Sequence, residues 1–121
     1  MILVVNKRYY EGPGEYIGRG GSSLGNPFTH LKTETKAEFK VKSRQEAIDC
    51  YEEWLEEKLK TDNNVKTEFD RLVAKYKKTG ELVLICWCSP YQNCHGHILS
   101  RLIEKTIKDS VPELYNLIVL T

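Results

Sequence analysis

The sequence predicts an α/β fold: a small, three-layer Rossmann-like domain with a mostly parallel sheet, an N-terminal hairpin and about three helices. Three observations carry this reading. Short, continuous apolar runs stand at Ile2 to Asn6, Glu81 to Cys88 and Asn116 to Leu120, the pattern of strands covered on both faces. Stretches with apolar residues at helical spacing lie between them. Strands that alternate with helices favour parallel pairing with right-handed crossovers. At 121 residues the chain has room for one domain, 1–121, and no repeat or linker divides it.

Each element has a local cause. Ile2 to Asn6 reads as the first core strand, ending on a polar residue. Lys7 to Tyr10 and Glu15 to Ile17 flank Glu11-Gly12-Pro13-Gly14, turn chemistry that suggests the hairpin. Ser43 to Leu59 is the clearest helix, with Ser43 and Glu46 as a capping-box pair and Ala47, Ile48, Tyr51, Trp54, Leu55 and Leu59 on one face. Val65 to Lys78 repeats the pattern, opened by Asn63 or Asn64 and closed by Gly80. The run to Cys88 is the second core strand. After the Ser89 to Asn93 turn, a third helix carries Leu99, Leu102, Ile103 and Ile107 and stops near Val111-Pro112. The last apolar run ends the chain as a strand.

Composition excludes several classes. With 40% hydrophobic and 29% charged residues the chain is a globular folder, not a disordered one. Eighteen basic and 17 acidic residues leave a net charge of +1, so no global field draws in duplex nucleic acid or anionic lipid. No apolar run reaches membrane-spanning length and the N-terminus lacks a signal peptide's order, which gives a cytoplasmic expectation. Three of the four cysteines crowd into residues 86–94, a pattern that points to metal, catalysis or packing and away from a disulfide framework. Cys50 falls among packing positions of the first helix.

Parallel sheets bind ligands beyond the carboxyl ends of their strands. Those ends are Asn6 to Arg8 and Cys88 to His95. The segment Gly18 to Gly25 holds four of the chain's eight glycines. Gly18, Gly20, Gly21 and Gly25 can bring amides to an anion, Ser22 and Ser23 can donate to it, and Arg19 can fork two of its oxygens. Neither the P-loop pattern nor the dinucleotide fingerprint is completed, because Asn26-Pro27 follows where a Lys-Ser/Thr pair or a helix is required. A flexible surface turn is the plain alternative.

Cys86, Cys88, Cys94, His95 and His97 are possible zinc ligands. Cys86 and Cys88, two apart on a strand and about 6.6 Å between α-carbons, lack the tight-turn spacing of structural zinc sites. Cys94 and His95 stand where the third helix begins, a place that lowers a thiol's pKa or presents amides to phosphate. They are the candidate catalytic pair, with plain packing as the alternative. Trp54, Trp87, Tyr51 and Tyr76 fall at core-compatible positions, which favours burial over a base-stacking role.

Val4-Val5-Asn6, Tyr16-Ile17-Gly18-Arg19, Leu24-Gly25-Asn26-Pro27-Phe28, the helix with Ala47, Tyr51, Trp54 and Leu55, and Cys86-Trp87-Cys88-x-Pro90 with Cys94-His95-Gly96 together resemble domain of unknown function family 4326. Members are small single-domain proteins common in phages and bacteria. The resemblance brings no activity, but implies that the glycine loop and the cysteine block form one signature and one pocket. The chain departs from the pattern twice: three residues separate Pro90 from Cys94 where about two are usual, and His97 stands where an acidic residue is common.

The functional expectation is a pocket formed by loop 18–28 and turn 86–97 that takes a small phosphorylated or nucleotide-like ligand, as a binding or sequestering protein. Its lining comprises Asn6, Arg8, Gly18, Arg19, Gly20, Gly21, Ser22, Ser23, Gly25, Asn26, Cys88 and Pro90. No resident metal or cofactor is expected. The alternatives are a thiol or imidazole enzyme acting on a nucleotide or glycosidic substrate, and a zinc-stapled interaction module. A homodimer completing the pocket stays open.

Overall fold

The computed structural model describes residues 1–19, 21–29, 39–87 and 94–110. Gly20, the turn with Cys88 and Pro90, the end of the third helix at Val111-Pro112 and the Asn116 to Leu120 strand expectation lie outside the described residues. In chain order the elements are β1 (Ile2–Asn6), β2 (Glu15–Tyr16), β3 (Phe28–Thr29), β4 (Phe39–Lys40), α1 (Arg44–Thr61), α2 (Asn63–Thr79), β5 (Leu82–Cys86) and α3 (His95–Ser110). The fold is α/β.

Strands β1, β5 and β2 form one sheet in that order, with both pairings parallel. Strand β5 is central, as its apolar sequence requires. Strands β3 and β4 make a separate two-residue parallel ribbon on which Phe28 and Phe39 stack. The expected hairpin is not formed. Residues 7–9 form a turn, and Glu15–Tyr16 pairs in parallel with Leu84 and Ile85, on the side of β5 away from β1. The amide of Ile17 then donates to the carbonyl of Ile85 at 2.9 Å. The Gly-Pro-Gly segment therefore carries the chain across the sheet. Its turn residues were legible, but the partner was 69 positions away.

Partners in parallel register share a face. Ile2, Val4 and Asn6 stand beside Leu82, Leu84 and Cys86, and this face meets the helices. The core cluster joins Leu82, Leu84 and Cys86 to Ile48, Tyr51 and Leu55 of α1, Val65, Phe69, Leu72, Val73 and Tyr76 of α2, and Leu99, Ile103 and Ile107 of α3. Leu3, on the other face, remains 49% exposed. That corrects the expectation of a first strand buried on both sides: among the described residues all three helices lie on one face, so the third layer is not seen.

The helices end where their caps dictate. Ser43 accepts from the amide of Glu46 at 3.1 Å and opens α1. Asp62 closes α1 through its own amide and opens α2 by accepting from the amides of Asn64 and Val65. The α2 cap is thus Asp62, one residue before the expected Asn63 or Asn64; a carboxylate is the better acceptor at the positive end of a helix. Gly80, at φ 72°, ends α2 in the left-handed conformation that glycine adopts without strain.

Candidate functional site at the carboxyl edge of the sheet

Three consecutive strand ends build this edge. Lys7 follows β1, Trp87 follows β5 and Tyr16 closes β2. Asn6 terminates β1 by accepting the amide of Arg8 on its side-chain oxygen at 2.8 Å, while its carbonyl accepts from the amide of Tyr9. That Asx turn leaves Lys7 and Arg8 exposed beside the sheet. The Lys7 ammonium lies 5.1 Å from the Tyr16 ring centroid and 5.5 Å from that of Trp87, within cation–π range of both. Trp87 is 58% exposed. This overturns its assignment to the core: Leu82, Leu84 and Cys86 alternate inward along β5, and the next residue faces out. The period-two pattern within Leu-Val-Leu-Ile-Cys-Trp was the available signal.

The glycine loop packs against this edge and closes on itself. A β-carbon on Gly18 would collide with the Tyr16 phenol, and one on Gly21 would come within 2.8 Å of its ring. At Gly25 it would meet the backbone of Arg19 at 2.9 Å. Close approach is thus what these glycines serve within the loop. Ser22 accepts the amides of Leu24 and Gly25, and Ser23 donates to the carbonyl of Asn64 at the start of α2. The Arg19 guanidinium, expected on a ligand anion, donates from Nε and Nη2 to the carbonyls of Asn26 and Phe28. Asn26 is buried, donates to the carbonyl of Ala47 in α1 at 3.2 Å and accepts the amide of Phe28 at 2.9 Å. Arg19 and Asn26 therefore fix the loop's shape from inside.

The start of α3 locks onto the same loop. His95 Nε2 donates to the carbonyl of Ile17 at 2.7 Å, and its buried ring stands edge-on to Tyr51 at 5.2 Å. Burial pushes the imidazole pKa below its ordinary 6.5, so the ring is neutral. The Tyr51 hydroxyl donates to the carbonyl of Leu24 at 2.7 Å, and burial raises its pKa well above the usual phenol value. Ile17, Leu24 and Tyr51 are fully buried, so this seam is close-packed. Among the described residues, the open part of the edge is the Lys7, Arg8 and Trp87 surface.

Cys94 caps α3. Its sulfur accepts from the amide of Gly96 at 3.3 Å, while its own amide donates to Nδ1 of His97 at 3.1 Å. The imidazole thus makes the return bond of a capping box in the place usually held by Glu/Gln, while the thiol accepts the amide of the second helical residue and the Cys94 carbonyl that of His97. The buried Cys94 sulfur lies 3.6 Å from that of Cys86, which also approaches the carbonyl of Val5. Cys50 is half-buried. Among the described residues, no group of three or more His, Cys, Asp or Glu side chains gathers to hold a metal, and no helix is long and apolar enough to cross a membrane.

Of the expected lining, Asn6, Arg8, Gly18, Arg19, Gly21, Ser22, Ser23, Gly25 and Asn26 belong to this edge or to the loop packed against it. Cys94 and His95 join them at the seam. Gly20, Cys88 and Pro90 lie outside the described residues. Sequence reasoning missed Trp87, Lys7 and Tyr16.

Comparison with curated proteins and with solved structures gave no match. A scan against family models matches Domain of unknown function (DUF4326) over residues 5–105. That span runs from β1 into α3 and takes in the glycine loop, Trp87 and the Cys94-His95 helix start, and on its extent the chain belongs to the DUF4326 family.

Proposed function

We propose that the protein binds a small phosphorylated or nucleotide-like ligand at the carboxyl edge of its parallel sheet, where the glycine loop 18–28 meets the Cys/His segment 86–97. The observation that carries the reading is the 2.7 Å hydrogen bond from His95 to the carbonyl of Ile17, which ties the helix start to the entry of the glycine loop beside three parallel strand ends. Ligands of such sheets sit at that edge. Arg19 is engaged on the loop's own carbonyls and the Ser23 hydroxyl on that of Asn64, so the cations that meet the anion are Lys7 and Arg8, both exposed there. Binding or sequestration is favoured over thiol chemistry, because the buried Cys94 sulfur accepts a helix amide and His95 Nε2 holds a backbone carbonyl.

Native mass spectrometry of protein purified from cells, followed by thermal-shift titration with pyrophosphate and nucleoside mono- and diphosphates, tests the reading. A co-purified phosphorylated species, or a saturable rise in Tm that Arg8→Ala weakens, supports it. At 100 times Kd the rise corresponds to about 2.7 kcal/mol. A Tm that none of these compounds moves contradicts it.

A further inference from the structure

Resting on that reading, we propose that the ligand is a mononucleotide whose base stacks on Trp87, with Tyr16 and Lys7 completing the recognition face and Arg8 meeting the phosphate. Trp87 is the feature the fold alone does not explain. It follows the central strand, where Leu82, Leu84 and Cys86 each turn into the core, and keeps 58% of its surface in solvent. A large indole held open at a ligand-binding edge, with a cation fixed beside it, offers an apolar face to a planar ring and a charge to an anion attached to that ring. Lys7 sits within 5.5 Å of both aromatic centroids, so its ammonium bridges the ends of β2 and β5.

Tyr16 packs against Gly18 and Gly21, and its hydroxyl donates to the carbonyl of Arg19 at 3.4 Å, so the ring has its place before any ligand arrives. Preorganisation of that kind lowers the ordering cost of binding. Two exposed cations, Lys7 and Arg8, match one phosphate or diphosphate group, and a net charge of +1 provides no extended basic track for a polynucleotide strand. The occupant is therefore a single nucleotide.

Trp87 and Trp54 are the two tryptophans of the chain, and Trp54 lies on α1 stacked on Tyr51, so a Trp54→Phe background, which keeps an aromatic ring there, leaves Trp87 as the sole indole reporter. In that background, AMP, ADP and GDP should quench the indole fluorescence saturably, and pyrophosphate should not. In the otherwise native chain, Trp87→Ala should weaken nucleotide binding by about tenfold or more while leaving pyrophosphate binding unchanged, and Trp87→Phe should restore much of the loss. Lys7→Met should weaken both ligand classes. Nucleotides that bind equally to the native protein and to Trp87→Ala would overturn the stacking proposal and leave the phosphate-ligand reading standing. Quenching by single-stranded oligonucleotides but not by mononucleotides would also overturn it. Failure of every nucleotide and of pyrophosphate to bind the native protein would remove the reading on which it rests.

Discussion

Tyr51 and His95 hold the glycine loop from two sides, one through the carbonyl of Leu24 and the other through that of Ile17. Each side chain satisfies a carbonyl in a buried setting where an unmet acceptor is destabilising. Tyr51→Phe should lower unfolding free energy by about 1–2 kcal/mol in urea denaturation with little change in secondary structure. For His95 the folded pKa is depressed, so the unfolded chain binds the proton more readily. The stability linked to neutral His95 is present above 6.5 and falls away as the pH drops below that value. His95→Gln keeps a donor for the Ile17 carbonyl and removes the titration. Its stability should vary less between pH 7 and 5 than that of the native protein, and an unchanged pH profile would assign the dependence elsewhere. At the helix start, His97 accepts the Cys94 amide, which a glutamate at the same position would also do.

Among the elements, the junctions carry the sharpest expectations. Asp62 serves both helices it separates, and Asp62→Ala should destabilise by about 1 kcal/mol or more, measured by thermal denaturation. Gly96 brings α3 against β1: a β-carbon there would come within 2.7 Å of Val4 Cγ1 and 3.1 Å of Ile17 Cδ1. Gly96→Ala should therefore destabilise by about 1–3 kcal/mol despite alanine's better helix propensity, since the strand and helix must move apart. Strand β2 is tied to α2 by Glu15, which pairs with Arg71 at 2.7 Å and Lys75 at 2.8 Å. The Arg71 guanidinium, with Lys75 beside it, holds the Glu15 carboxyl down at about 2 against its usual 4.5. The linked stability is present above pH 4.5 and is lost as the pH falls toward 2. Both cations are about half exposed, so solvent screening limits the pair's worth to about 1 kcal/mol. Glu15→Gln should flatten acid unfolding in that window.

For the whole molecule, the sequence displayed most of the periodic structure and little of the long-range pairing. The helices of 43–61 and 63–79 were legible because caps and apolar stripes are local signals, and the central strand because its apolar run is uninterrupted. Strand β2 was misread as half of a hairpin because two residues pairing with a strand 69 positions later leave no local trace. The glycine loop was recognised as unusual, yet composition could not distinguish glycines that admit an anion from glycines that admit the Tyr16 ring. Arg19 has the chemistry for a phosphate, and only its contacts to two loop carbonyls reveal its present partners. Trp87 was hidden by its flanking cysteines, which make the segment look like core throughout.

The proposed nucleotide site lies at the strand ends, on the Lys7, Arg8, Tyr16 and Trp87 surface beside the joined loop and helix start. Amide and indole NMR shifts on titration with ADP address it most directly. Saturable shifts are expected at Lys7, Arg8, Tyr16 and the Trp87 indole, with the α1–α2 junction near Asp62 unmoved; shifts confined to that junction, or none at any concentration, would contradict the site.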